Sequence, residues 1–358
     1  MKIGKTIERT GKGILSFLLK FILRTKEIST SNLYPEDIKN VIIIRQDRKI
    51  GNLILTTPLI KCCKTTFSNA KIDILLANNL KVLCENNPNI DNLYIFDHIG
   101  FIKNPLRFIK LILKLRKNRY YVALESSHPG GSSFLNGFIT FLTGAVFRIG
   151  FNKGSGAVFT NVHIEPDESK HYYLMQQDLV NAVSGKEIIY EPEINVNEND
   201  KLLYRKTLEK EYNLNKSSKI IGVWIGARFN KRWDLSNFTA LCETLFSAKD
   251  YFPLLALGIE EEKLFNSIDR SKYNVLQFDD LKKLSIFISA CDSFICGDTG
   301  PLHLSRALRI PTIGIFLQDN YTTYGYSNEK TNFIIKPGNT AKMLEEINYA
   351  IKKIFEVN

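Results

Sequence analysis

One pattern constrains this chain more than any other: short aliphatic runs alternate with helix-length segments, and the whole alternation then starts again. The first series of runs lies at 41–44, 71–76, 92–96 and 121–124. The second opens at "KIIGVWIGA", residues 219–227, and continues through "FPLLALG", "YNVLQF", "SFICG" and "PTIGIF". Apolar runs separated by helical segments build parallel sheets from βαβ units, because two parallel strands need a long crossover between them. At 358 residues the chain exceeds one ordinary core and suits two. The expected class is therefore α/β, with two Rossmann-like domains whose parallel sheets face each other across a cleft, ligand lying at the carboxyl ends of the strands. The expected layout is an N-terminal extension over 1–40, a first domain over 41–185, a polar linker over 186–200, a second domain over 201–335 and a terminal segment over 336–358.

With 44 % hydrophobic and 24 % charged residues the composition is that of a soluble globular protein. The six cysteines, Cys62, Cys63, Cys84, Cys242, Cys291 and Cys296, form no C-x-x-C pair, and five histidines are too few to build much around them. Buried free thiols in a reducing compartment are expected, with no metal site and no cofactor.

The formal charge of +11 is concentrated. Residues 1–26 hold seven Lys/Arg against one Glu, and residues 103–119 hold seven against none, so the rest of the chain is near neutral. A chain basic throughout would point to nucleic acid, whereas two local patches point to a specific anionic surface. In the first patch, Lys5, Arg9, Lys12, Ser16, Lys20 and Arg24 recur every three or four residues and form one polar stripe. Its apolar run of about ten residues, broken by Lys20, falls short of the roughly 20 needed to span a bilayer. No small-residue cleavage site follows. A helix lying on an anionic leaflet is the expectation, and a helix packed on the protein's own body is the alternative. In the second patch, Asn104 can cap a helix that starts at Pro105, with Phe108, Leu111, Ile112 and Leu115 turned inward and Arg107, Lys110, Lys114 and Lys117 outward.

The sharpest local signal is "DSFICGDTGPLHLSRALRIPTIGIF", residues 292–316. A strand ends at Cys296, Gly297 releases it, Asp298 or Thr299 can cap, Pro301 takes the first helical turn, and the next strand begins at Thr312. Free backbone amides near Thr299, Gly300 and Leu302 would then face whatever sits above the sheet, and a helix N-terminus attracts anions. A diphosphate is the natural guest, and a plain capping turn is the alternative. His303, one helical turn in, can equally be a packed core histidine. A second basic loop, "WIGARFNKRWDLSNF" at 224–238, presents Arg228, Lys231 and Arg232 after a strand end, where such groups can neutralise a leaving phosphate. Aspartates two apart, the pattern by which many sugar-nucleotide transferases hold a divalent metal, occur nowhere in the chain.

These residues resemble glycosyltransferase family 9, the ADP-heptose:lipopolysaccharide heptosyltransferases, which have the GT-B fold. The matching pieces are "IGNLILTTPLI", "RIGF", "GARFNKRWDLSNF" and "GDTGPLHLSRAL" followed by "PTIGIF", in order over roughly 41–320. The resemblance implies an inverting, metal-independent transfer of a heptose from a nucleoside diphosphate to a glycolipid hydroxyl, on the cytoplasmic face of the membrane. It implies that backbone groups at Thr299, Gly300 and Pro301 hold the diphosphate with Lys231 in contact, and that Asp298 lies near the sugar hydroxyls; Arg228 is expected beside Lys231 at the diphosphate and His303 beside Asp298 at the donor sugar. Glu260 or Glu261 would bind the ribose, the adjacent glutamates leaving the register open. By the same likeness the helix near 341–355 would pack back across the domain junction.

The family pattern has an aspartate, acting as general base, where this chain has Asn52. An amide takes no proton near neutral pH. Three possibilities stay open. Asp47, in "RQDRKIGN", can serve as base, or instead pair with Arg45 or Arg48 and merely shape the loop. A carboxylate elsewhere in the first domain, such as Glu125, can serve, with Asn52 orienting the acceptor and His128 flooring its site. Or the chain binds nucleotide sugar or glycolipid at the membrane without turnover. Asn52, Asp47 and the 298–303 turn are expected to line one cleft. The same fold acting on another sugar donor is the nearest rival, and nucleic-acid binding rests on net charge alone.

Overall fold

The computed structural model describes residues 26–131, 133–227, 231–247, 250–328 and 330–356. The basic amphipathic segment 1–25 and Arg228 lie outside the described residues. The chain divides into two compact units, Met1–Glu191 and Pro192–Asn358.

The first unit is built on one six-stranded sheet: β1 (Asn40–Arg45), β2 (Lys71–Ala77), β3 (Asn92–Phe96), β4 (Val122–Glu125), β5 (Phe147–Phe151) and β6 (Val162–Ile164). All pairings are parallel, in the order β3-β2-β1-β4-β5-β6. Its helices are α1 (Ile50–Ile54), α2 (Thr57–Thr66), α3 (His98–Lys103), α4 (Pro105–Lys117), α5 (Phe134–Leu142) and α6 (Tyr172–Ser184). Val41, Ile42, Ile43 and Ile44 in β1 are all completely buried. A parallel strand covered by helices on both faces must be apolar at every position, which is why this run does not alternate.

The second unit repeats the plan with β7 (Lys219–Trp224), β8 (Tyr251–Gly258), β9 (Val275–Phe278), β10 (Ser293–Gly297), β11 (Thr312–Ile315) and β12 (Asn332–Ile335). Their order, β12-β11-β10-β7-β8-β9, is the first sheet's order read from the other edge. The helices are α7 (Glu198–Glu211), α8 (Leu235–Ser247), α9 (Glu262–Asn266), α10 (Leu281–Ala290), α11 (Gly300–Ala307), α12 (Tyr321–Tyr324) and α13 (Thr340–Glu356). All six cysteines are free and buried, three in each unit.

Several expectations change. The terminal helix α13 buries Met343, Ile347, Ala350, Ile351 and Ile354 in the second unit's own core, against residues such as Ile221, Val223 and Ile313. Its apolar stripe thus packs on the sheet it follows. The extension over 1–40 is not separate along its whole length, since Leu33 and Ile38 are buried and Ile28 N donates to Asn161 O at 2.9 Å. The polar 186–200 stretch is tied down: Tyr190 N donates to Gln177 Oε1 at 2.7 Å in the first unit, and Ile194 N to Ala307 O at 3.1 Å in the second. Three strands, β5, β6 and β12, have no counterpart among the predicted runs. Arg148 and Gly150 interrupt β5, and β6 and β12 are edge strands of three and four residues.

Candidate active site

In each sheet the direction of strand addition reverses once, between β1 and β4 in the first and between β7 and β10 in the second. At such a switch point the two following loops part to opposite sides, leaving a crevice at the carboxyl ends of the strands. Almost every candidate residue sits on one of these four loops or beside it.

In the first unit β1 delivers Arg45, whose side chain is completely buried. Its Nη2 donates to Tyr172 Oη at 2.9 Å, Nη1 donates to the Ser126 carbonyl, and Nε lies 2.8 Å from Asp47 Oδ2. That last contact is an ion pair without hydrogen-bond alignment. Burial works against the guanidinium, but Asp47, Tyr172 and Glu125 more than offset it and the net direction is upward. Asp47 is part-exposed, and its Oδ1 accepts from Lys49 N at 3.0 Å and from Asn52 Nδ2 at 3.1 Å. Asn52 therefore acts as a donor that fixes one carboxylate oxygen while Arg45 holds the other.

β4 delivers Glu125, completely buried and close enough to Arg45 to feel its charge. Ser127 Oγ donates to its Oε1, and Oε2 finds no hydrogen-bond partner among the described residues. Burial raises this carboxyl to about 7, against the pull of the Ser127 hydroxyl, the Arg45 charge and Asn136. Its strand neighbour is Gly150 of "RIGF", where a Cβ would come within 3.1 Å of the Glu125 Cβ. His128 lies further along the same loop, its ring 5.0 Å from that of Tyr172 and its Nδ1 accepting from Gly130 N at 2.9 Å. Burial, then the Arg45 and Lys49 charges, hold it down to about 4, so it is neutral at physiological pH. Behind these groups, Ser126 Oγ donates to Gln176 Oε1 at 2.7 Å and Gln176 Nε2 donates to Ser127 O at 2.8 Å. Tyr172 and Gln176 stand one turn apart on α6. Two polar residues on the buried face of a helix were the one available signal for them, and nothing in the sequence connects that face to Arg45.

In the second unit β10 ends at Gly297, where a Cβ would lie 3.3 Å from the Lys231 carbonyl, so the β7 loop passes close by. Thr299 is the N-cap of α11 in extended conformation, but its side chain makes no capping bond and instead donates to Gly297 O at 3.3 Å. Neither it nor Asp298 caps the helix. Leu302 N donates to Thr299 O at 3.1 Å and Pro301 contributes no N–H, which leaves the Gly300 amide as the first-turn donor without an acceptor in the helix. Asp298, 9 % exposed, accepts on Oδ2 from Lys231 Nζ at 2.5 Å and from Asn320 Nδ2 at 2.7 Å. Lys231 is thereby positioned at the mouth of the turn. His303 is buried beneath it, sharing a 3.0 Å hydrogen bond between Nδ1 and Tyr326 Oη, and burial holds it down to about 4. It is a neutral packing and hydrogen-bonding group in this position.

The three glutamates differ in packing. Glu260 and Glu262 are exposed, while Glu261 is half-buried and accepts from Ala227 N at 2.9 Å. A Cβ at Gly226 would overlap the Glu261 carboxylate as it lies, so a side chain there would displace that carboxylate. Burial raises the Glu261 pKa, opposed by the backbone amides of Gly258 and Ala227. Among the described residues no three His, Cys, Asp or Glu side chains come together as a metal site would require.

The described geometry is that of two nucleotide-type domains, one carrying a carboxylate held by Arg45 and Asn52, the other a strand-to-helix turn with Lys231 paired to Asp298. The model of glycosyltransferase family 9 (heptosyltransferase) matches residues 108–350. The lipooligosaccharide heptosyltransferase 2 of Campylobacter jejuni is 24 % identical over 299 residues, covering 80 % of this chain and 83 % of that protein. Among solved structures, a family 9 glycosyltransferase from Veillonella parvula superposes with a TM-score of 0.76 at 16 % identity, over 89 % of this chain and 98 % of the other. The ADP-heptose lipopolysaccharide heptosyltransferase II of E. coli superposes at 0.66 and 19 % identity, over 88 % and 99 % respectively. These two share the fold, with both units represented in each. The chain is a GT-B glycosyltransferase and belongs to glycosyltransferase family 9.

Proposed function

We propose that the protein moves a heptose or a closely similar sugar from ADP-heptose to a hydroxyl of a lipopolysaccharide-core-type glycolipid, with inversion and without a metal ion. It would work as a peripheral protein on the anionic, cytoplasmic face of the membrane. The observation that carries this is the 298–303 turn, where an uncapped helix N-terminus and Lys231 converge on one spot. The likeness to the heptosyltransferases of Campylobacter and E. coli supports heptose as the sugar. The lack of any Asp-x-Asp pair supports metal independence. The Glu261 carboxylate, bonded to Ala227 N just beyond β7, is the group read here as accepting from ribose hydroxyls.

In this mechanism the acceptor oxygen attacks the anomeric carbon while the bond from that carbon to the diphosphate oxygen breaks. The acceptor proton passes to Asp47, and the electron pair of the broken bond leaves on the diphosphate. Lys231 and the Gly300 amide stabilise the charge as it grows, which is where such donors lower a barrier. Asp47 is favoured over Glu125 as base because Glu125 is completely buried and holds its own proton up to about 7. Asn52 cannot accept the proton but orients the group that does.

The test is release of ADP from ADP-heptose by wild type and Asp47→Ala, each with and without a deacylated core-oligosaccharide acceptor. Acceptor-dependent release by wild type, abolished in Asp47→Ala with donor binding retained, is expected. Donor binding with no release by wild type on any acceptor would refute catalysis and leave a nucleotide-sugar-binding protein. Loss of activity on adding a chelator would refute metal independence.

A further inference from the structure

We infer that the outward face of α4 is a membrane-docking surface that inserts aliphatic side chains into an anionic lipid leaflet. This deepens the membrane location proposed above and is independent of which sugar or base the enzyme uses. The helix is held to the first unit by one face: Ile112 and Leu115 are buried, and the Phe108 ring lies 5.5 Å from that of Phe101. The opposite face should be polar if it met only water. Instead Leu106, Ile109 and Leu113, at three- and four-residue spacing, are 63 %, 50 % and 61 % exposed. On the preceding α3, Ile99 and Ile102 are 59 % and 83 % exposed.

The flanking charge selects the partner. Residues 98–119 contain seven Lys/Arg and no Asp or Glu. Lys114 and Arg116 are folded back, over the Tyr94 ring at 5.1 Å and onto the Leu142 carbonyl at 3.2 Å. Lys103, Arg107, Lys110 and Lys117 form no ion pair among the described residues. A row of aliphatic residues between cationic borders is complementary to a leaflet whose headgroups are anionic and whose interior is apolar. A second copy of this face would bring like charge against like charge, and nucleic acid would find no aromatic platform on it. No described helix is long and apolar enough to cross a membrane, so insertion would be shallow.

The experiment is flotation of the full chain with phosphatidylcholine vesicles, with and without phosphatidylglycerol, over a series of salt concentrations. The comparison is a Leu106→Gln/Ile109→Gln/Leu113→Gln variant, whose thermal transition and whose ADP release on a water-soluble, deacylated acceptor should match wild type. Wild type is expected to float with the anionic vesicles, more weakly as salt rises, and the variant to lose about tenfold or more of that affinity. Equal flotation of both proteins would overturn the assignment and place any lipid contact elsewhere, such as the 1–25 segment. No flotation of wild type, or self-association that the variant abolishes in its place, would overturn it as well. Because the release assay needs no membrane, failure of the transferase reading would show there and failure of the docking surface in the vesicles.

Discussion

Glu125 gives the first unit a stability that should depend on pH in an unusual direction. The carboxyl is completely buried and its folded pKa is raised to about 7 from an ordinary 4.5, chiefly by burial. The folded state therefore binds a proton that the unfolded state has released over the whole interval between those values. Where the native state holds more protons, stability falls as pH rises. The loss begins near the unfolded pKa and is complete above the folded one. A shift of that size, at about 1.4 kcal/mol per unit, makes the loss between pH 5 and pH 8 about 2 to 3 kcal/mol. Glu125→Gln keeps the shape and an acceptor for Ser127 but cannot ionise, so it removes this slope. Urea unfolding of wild type and variant at several pH values should show the stability difference moving in the variant's favour by that amount as pH rises. The absolute difference at any one pH also contains the new amide beside Arg45, so the slope is the diagnostic quantity. A difference that stays flat from pH 5 to pH 8 would refute the reasoning and mean that water reaches Oε2.

Other substitutions test the site piece by piece. Lys231→Met should lower kcat by about a hundredfold or more if the ammonium stabilises the leaving diphosphate, with little change in melting temperature because the side chain is 38 % exposed; single-turnover rates with ADP-heptose would show it, and a loss confined to KM would argue for binding alone. Asn52→Asp places a second carboxylate 3.1 Å from Asp47 Oδ1, where the two cannot both ionise freely; the acid limb of the rate profile should move to higher pH, and an unchanged profile would separate Asp47 from the chemistry. Glu261→Gln retains an acceptor for Ala227 N but weakens a ribose contact, so ADP affinity measured calorimetrically should fall by roughly three- to tenfold with folding intact.

The strand runs, the two-domain plan and the family resemblance could be read from sequence because each is local: buried parallel strands are apolar throughout, and the glycine–aspartate–threonine–glycine turn is contiguous. What could not be read depends on distant packing. Arg45 and Tyr172 are 127 residues apart, and only the fold shows that the ring hydroxyl receives the guanidinium. The three consecutive glutamates look alike in one dimension, and Glu261 is singled out because Gly226 leaves room for its carboxylate. The inward stripe of α4 followed from spacing, whereas its exposed aliphatic stripe was masked by the lysines interleaved with it. The terminal helix's apolar spacing is legible in sequence, but that it is the second sheet that takes up this stripe is not.

The six buried cysteines turn the molecule into its own folding reporter. Burial pushes Cys62, Cys84 and Cys242 up to about 12 and raises Cys63, Cys291 and Cys296 as well. Alkylating reagents attack thiolates that they can reach, so in the native protein each label must wait for the surrounding element to open. With three thiols on either side of the Glu191–Pro192 division, pulse alkylation followed by peptide mass spectrometry would time the opening of each half separately. Donor nucleotide should then slow the labelling of Cys296, on the strand that feeds the anion-binding turn, more than that of Cys84.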